Sequence, residues 1–156
     1  MSRSGYSDDF DGPELHLYRG AVQSAIGGRR GQAFLRDMLT AMDAMPVKRL
    51  IAHDLAAPDL VSFSHWGLIE AESVCAIGAV GKARGIDMRD IDPEDSEAVA
   101  KAFGIADSMA REITFMNDEA WWRATPEERF VRMRTWIVEN IRNDDRTEGK
   151  TNNDLS

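Results

Sequence analysis

The chain has 156 residues, 43% of them hydrophobic and 29% charged, and 19 Lys plus Arg stand against 27 Asp plus Glu for a formal net charge of −8. This describes one globular domain with a sizeable core and excludes a low-hydrophobicity disordered chain; no apolar run approaches the roughly 20 residues needed to cross a bilayer. A single cysteine, Cys75, excludes an internal disulfide framework and a multi-cysteine zinc site.

The opening Met1-Ser2-Arg3-Ser4 runs into Asp8, Asp9 and Asp11 with no apolar stretch, so no secretory signal is expected and the cytoplasm is the expected location. Asp11-Gly12-Pro13-Glu14 reads as a helix start, since proline at the first helical position has its φ preset and lacks only an N–H that would go unpaired. Leu15, Tyr18, Val22 and Ala25 then recur at helical steps and predict a buried face that Gly27-Gly28 ends. Phe34, Leu35, Met38, Leu39, Met42 and Met45 predict a second amphipathic helix closed by Pro46. Residues 47–55 suit a short helix or an extended piece, with Lys48 and Arg49 outward and Leu50 and Ile51 packed.

From Ala56 onward the period is lost around Pro58, and Phe63, His65 and Trp66 fall at no clean spacing, which predicts a long ordered loop or a short hairpin. Residues 73–84 are small and apolar; their length favours a close-packed helix and their glycines a buried strand. Asp92-Pro93-Glu94-Asp95 repeats the start signal, with Asp92 as N-cap, and leads into Val99, Ala102 and Phe103 before Gly104 breaks the helix. A further helix carries Met109, Ile113 and Met116. Thr125-Pro126-Glu127-Glu128 is a capping box ahead of Phe130, Met133, Trp136, Ile137 and Ile141. The expected fold is therefore all-α: a compact single-domain bundle of five to seven helices over residues 1–143 with one long ordered loop at 56–73, followed by a polar, disordered tail over 144–156.

Charge is unevenly spread. Residues 29–49 hold five basic groups against two acids, whereas residues 92–119 hold eight acids against two basic groups. Clustered acids repel nucleic acid and attract basic protein surfaces, although a solvated helix exterior has the same composition. The partner-binding candidates are Glu94, Asp95, Glu97, Asp107 and Glu112 with Trp121 and Trp122, whose adjacency prevents both rings from facing the core. Arg29 and Arg30, in Gly27-Gly28-Arg29-Arg30-Gly31-Gln32, are the anion-binding candidates, though the run matches neither a Walker nor a dinucleotide pattern and equally suits a plain interhelical turn.

Ala98 to Ile113, with Ala100, Gly104 and Ile105 at the bend, has the look of a helix-turn-helix whose second helix covers 106–112. Its acidity opposes phosphate contacts, and a packed helical hairpin shares the same spacing. His16, His53 and His65 form no ligand pattern, Cys75 reads as a buried inert thiol, and no nucleophile has a recognisable base. Neither a metal, a cofactor nor a catalytic residue is expected.

The runs Met1-Ser2-Arg3-Ser4-Gly5-Tyr6-Ser7-Asp8-Asp9, Arg30-Gly31-Gln32-Ala33-Phe34-Leu35-Arg36, Asp43-Ala44-Met45-Pro46-Val47-Lys48-Arg49-Leu50-Ile51, Cys75-Ala76-Ile77-Gly78-Ala79-Val80-Gly81-Lys82-Ala83-Arg84-Gly85 and Thr125-Pro126-Glu127-Glu128-Arg129 together resemble a family of small proteins encoded by tailed phages and prophages, over most of residues 1–142. That family has no assigned activity, and the resemblance implies an intracellular life in a host cell during infection or lysogeny. Relatives of this kind are shorter between Leu55 and Val74, so residues 56–73 read as an insertion. The leading expectation is a non-enzymatic phage accessory protein that binds a host or phage macromolecule, with a protein partner of basic surface favoured, and inhibits a host defence system such as CRISPR-Cas; no residue specifies the inhibitory part. The alternative is a helix-turn-helix DNA-binding regulator using residues 96–113, with a dimer supplying positive charge from Arg29, Arg30, Lys48 and Arg49. A third reading is an enzyme acting on a phosphorylated small molecule at Arg29 and Arg30.

Overall fold

The structure is a computed structural model that describes residues 3, 4, 13–58, 62–64, 67–69 and 72–143. The proposed tail, the helix-start residues Asp11 and Gly12, and the loop residues His65 and Trp66 lie outside the described residues. Among those described there are six helices: α1 Pro13–Gly27, α2 Arg29–Asp43, α3 Ala76–Arg84, α4 Ser96–Phe103, α5 Asp107–Asp118 and α6 Pro126–Asn140. The fold is all-α in character, with four three-residue strands among the described residues that pair into two small two-stranded sheets: β1 Ala56–Pro58, β2 Ser62–Ser64, β3 Gly67–Ile69 and β4 Glu72–Val74.

The amphipathic periods behave as expected where they are strongest. In α2, Phe34, Leu35, Met38 and Met42 are buried and Leu39 is partly so, as is Met45 just beyond its end; in α6, Phe130, Met133 and Ile137 are buried. Each fully buried side chain of this size contributes roughly 1.5–3 kcal/mol over its exposed state. The predicted stripe of α1 is displaced. Val22 and Ile26 enter the core, Tyr18 and Ala25 are partly covered, and Leu15 stays exposed. Helix α5 runs through the middle of the bundle, touching α1, α3, α4 and α6, while α2 packs on α1, α3 and α6. Phe34 of α2 and Phe103 of α4 meet edge to face with centroids 6.2 Å apart.

Local chemistry explains the helix ends. Thr125 accepts the Glu128 N–H at 3.2 Å as the capping box requires, but Glu128 turns its carboxylate toward Arg132 at 3.9 Å. The second start signal acts three residues later than its pattern suggests. Asp92 folds an Asx turn by accepting the Glu94 N–H, and Asp95 is the N-cap, accepting the Ala98 N–H at 3.1 Å. Asp92 and Asp95 each bond a nearby backbone N–H, and the second of these bonds sits where helical geometry begins. Gly104 takes the left-handed conformation, φ 69°, that ends α4.

Residues 47–55 form no regular element; Leu50 is buried there, and its N–H donates to the Pro126 carbonyl. The segment read as a long loop or a short hairpin takes the second form. β1 pairs antiparallel with β4, Ala56 opposite Val74, and β2 pairs with β3, Ser62 opposite Ile69. The small apolar run holds both of its alternatives in succession, because strand β4 ends at Val74 and α3 begins at Ala76. Between them Cys75 is the N-cap, its sulfur accepting the Gly78 N–H at 3.3 Å. Gly78 is required at that point, since a Cβ would collide with the Leu55 carbonyl.

Candidate interaction site

The turn joining α5 to α6 is built so that its two tryptophans part company. Ala120 N–H donates back to Phe115, and Ala124 N–H donates to the Trp121 carbonyl at 2.8 Å, which winds residues 119–124 tightly. Arg129, buried beneath, donates to the Leu50 and Ala124 carbonyls at 3.0 and 3.2 Å and ties this turn to the irregular 47–55 segment. Trp121 consequently packs against the core, with the Arg132 guanidinium 5.7 Å from its centroid. Trp122 is thrown outward and is 69% exposed, with the Arg123 guanidinium stacked 4.4 Å from its centroid. The two rings, Arg123, Glu128 and Arg132 line a shallow depression of about 290 Å³.

The acids expected beside this aromatic pair are elsewhere. Glu94, Asp95 and Glu97 are exposed around the start of α4, in a run with Asp87, Asp90 and Asp92 that only Arg89 opposes. Asp107, at the first turn of α5, accepts the Ser96 hydroxyl and lies 3.4 Å from Arg111. The 12 residues of α5 then separate this edge from the tryptophans, a distance of about 18 Å. Glu112 must be withdrawn from the candidate surface: its side chain is 5% exposed and accepts from Arg19 at 2.8 Å. Counting charges along the chain could not separate it from its neighbours, because its burial depends on α1 lying across α5.

The same packing bears on the helix-turn-helix resemblance. A recognition helix needs one whole face free to enter a groove. In α5, Met109, Ala110, Ile113, Thr114 and Asn117 are buried along with Glu112, so α4 and α5 form a packed hairpin at the centre of the bundle.

Arg29 and Arg30 are exposed at the first turn of α2, where N-cap Gly28 supplies no side-chain bond. The fold brings two further arginines to this end of the bundle. Arg36 donates to the Arg142 carbonyl at 2.6 Å, and the Arg142 guanidinium lies against Gly27, where a Cβ would come within 2.6 Å of it. Buried Gln32 secures this junction by donating to the Ile26 and Asn140 carbonyls and accepting the Arg142 N–H. Arg36 was legible in principle, being seven residues from Arg29 and so on the same helical face; Arg142 was not.

A buried polar cluster also went unseen. Arg3 makes two bonds to Asp118, 2.6 and 2.8 Å, with side chains 2% and 0% exposed. Asn117 bridges Asp118, the Ile51 carbonyl and the Ala76 N–H, and Ser4 donates to Glu119 at 2.7 Å. Burial pushes the Asp118 carboxyl up, but the Arg3 hydrogen bond and charge, with help from Asn117, hold it below its ordinary value. Neighbouring Cys75 is buried, and desolvation raises its thiol despite Arg3, which disfavours a nucleophilic thiolate. The His53 side chain is 73% exposed with Nδ1 3.8 Å from Asp118, and its backbone has a φ of 68°.

Among the described residues no group of three His, Cys, Asp or Glu side chains converges as a metal site, and no helix is long and apolar enough to cross a membrane. No protein-family model, curated protein or solved structure matches the chain.

Proposed function

We propose that the protein is a non-enzymatic binding module, of the tailed-phage accessory kind its sequence resembles, that docks on a host or phage protein through the Trp122 face. The observation carrying this reading is a tryptophan 69% exposed, with the Arg123 guanidinium stacked on it and Arg132 over the neighbouring Trp121, on a turn held rigid from below. Trp and Arg dominate the energetics of protein interfaces, and a ring already held in place loses little conformational freedom on docking. Arg123 and Arg132 favour carboxylates or carbonyls around the partner's apolar pocket. The exposed acids of residues 87–97, at the far end of α5, favour a basic surface and serve as a steering region or second contact. Inhibition of a host defence system such as CRISPR-Cas is the specific form of this proposal, drawn from the resemblance alone. The buried position of α5 weighs against a DNA reader at residues 96–113.

The test compares wild type with Trp122→Ala as bait in a lysate of the host cell, with captured proteins quantified by mass spectrometry. Loss of an interface anchor worth at least about 2 kcal/mol weakens binding roughly 30-fold, so a specific partner should be retained by wild type and lost by the variant. Identical captured sets, or none above background, with both proteins folded, would overturn the reading.

A further inference from the structure

The end of α2 and the middle of α3 diverge over side chains too small to fill the space between them. Ala41 and Ala44 on one side, and Ala79 and Ala83 on the other, line a half-open cavity of about 240 Å³ floored by Val74 of β4. Met45, Pro46 and Val47 form its rim, and Val47 is 54% exposed. An aliphatic cavity of about 150 Å³ is enough to hold benzene, so this one accommodates an apolar body of about eight carbons, and the thioether of Met45 can adjust to its shape.

The polar groups at the mouth define the other end of the ligand. Helix-end carbonyls are already occupied: Lys48 Nζ donates to those of Met42 and Asp43, and the N–H groups of Gly85 and Ile86 donate to those of Lys82 and Gly81. Among the described residues the charged side chains in the lining are Lys82 and Arg49, with no carboxylate beside them. Lys82 is exposed and has no ion pair among the described residues. We infer that the cavity binds a small amphipathic carboxylate, its apolar body against Ala41, Val74 and Ala79 and its anionic end at Lys82. This site lies on different elements from the Trp122 face and stands independently of the proposed function.

The probes are octanoate, 1-octanol and octylammonium, titrated below their aggregation concentrations into protein carrying ¹³C-labelled alanine methyl groups. Saturable shifts of the Ala41, Ala79 and Ala83 methyls are expected with octanoate, weaker ones with octanol and none with octylammonium. Lys82→Glu removes an attraction and adds a repulsion at a half-open site, so octanoate should bind about tenfold more weakly while octanol is unchanged. Ala83→Phe, at an exposed position, should block both without unfolding the chain. The inference is overturned if octanoate gives no saturable shift at these methyls, if octylammonium binds as well as octanoate, or if Lys82→Glu leaves octanoate binding unchanged.

Discussion

Replacing Arg3 with methionine removes the counter-charge of a carboxylate that has no access to solvent. Asp118 would keep its bond from Asn117 at 2.8 Å but lose both guanidinium bonds. Breaking a buried pair from one side costs about 3–5 kcal/mol. Protonation limits that loss: taking up a proton at pH 7 on a group whose unfolded pKa is about 3.9 costs about 4 kcal/mol, and at pH 5 only about 1.5 kcal/mol. The expected destabilisation is therefore about 3–4 kcal/mol at pH 7, a fall in Tm of roughly 10 °C for a domain of this size.

The direction with pH follows from the two states of Asp118. Held below its ordinary value in the wild type, it stabilises the fold above about pH 4, and that contribution is lost as pH falls through the native pKa. In the variant, burial is the largest surviving cause and raises the pKa against the smaller effect of the Asn117 bond, so the gap between the two proteins narrows on acidification. Urea denaturation followed by tryptophan fluorescence at pH 7 and pH 5 measures it. The double variant Arg3→Met, Asp118→Leu should recover most of the loss, because no buried charge remains. A loss under about 1 kcal/mol at neutral pH, or one of equal size at both pH values, would refute the account of this pair.

Three further outcomes are expected. Gly78→Ala drives a methyl into the Leu55 carbonyl and should cost about 3 kcal/mol or more in chemical denaturation, whereas Gly20→Ala, with open space around its Cβ, should not destabilise the chain. Thr125→Ala removes the cap of α6 and should lower stability by about 1 kcal/mol, with Thr125→Ser retaining it. Cys75, buried with a raised thiol pKa, should react with a thiol reagent only at the rate of structural opening, so that labelling accelerates in urea in step with unfolding; fast labelling of the native protein would contradict its burial.

How far the candidate surface was legible differs residue by residue. The separation of Trp121 from Trp122 follows from their adjacency, because neighbouring side chains cannot share one face. Which ring is covered was not legible, since it depends on α6 folding back so that Arg129 grips the turn. The acids of residues 87–97 are exposed as their composition suggests, but Glu112 and Asp118, alike on a charge count, are consumed by Arg19 and Arg3. The cavity beside Lys82 has no counterpart in any local pattern, since it arises where two runs of alanines, some 40 residues apart, fail to meet.

The chain order alone determined what short-range forces control: that helices form, where the strong ones face inward, that Gly104 ends one and Thr125 opens another. Those features depend on periodicity and on hydrogen bonds spanning three or four residues, so they are written within a single turn of helix. Tertiary packing decided the rest. It set an arginine at position 3 against an aspartate at 118, made α5 a central helix, and placed the exposed acids and the exposed tryptophan at opposite ends of it. Burial turns a charge from a solvated decoration into a paired structural group, and burial belongs to the assembled bundle rather than to any stretch of sequence.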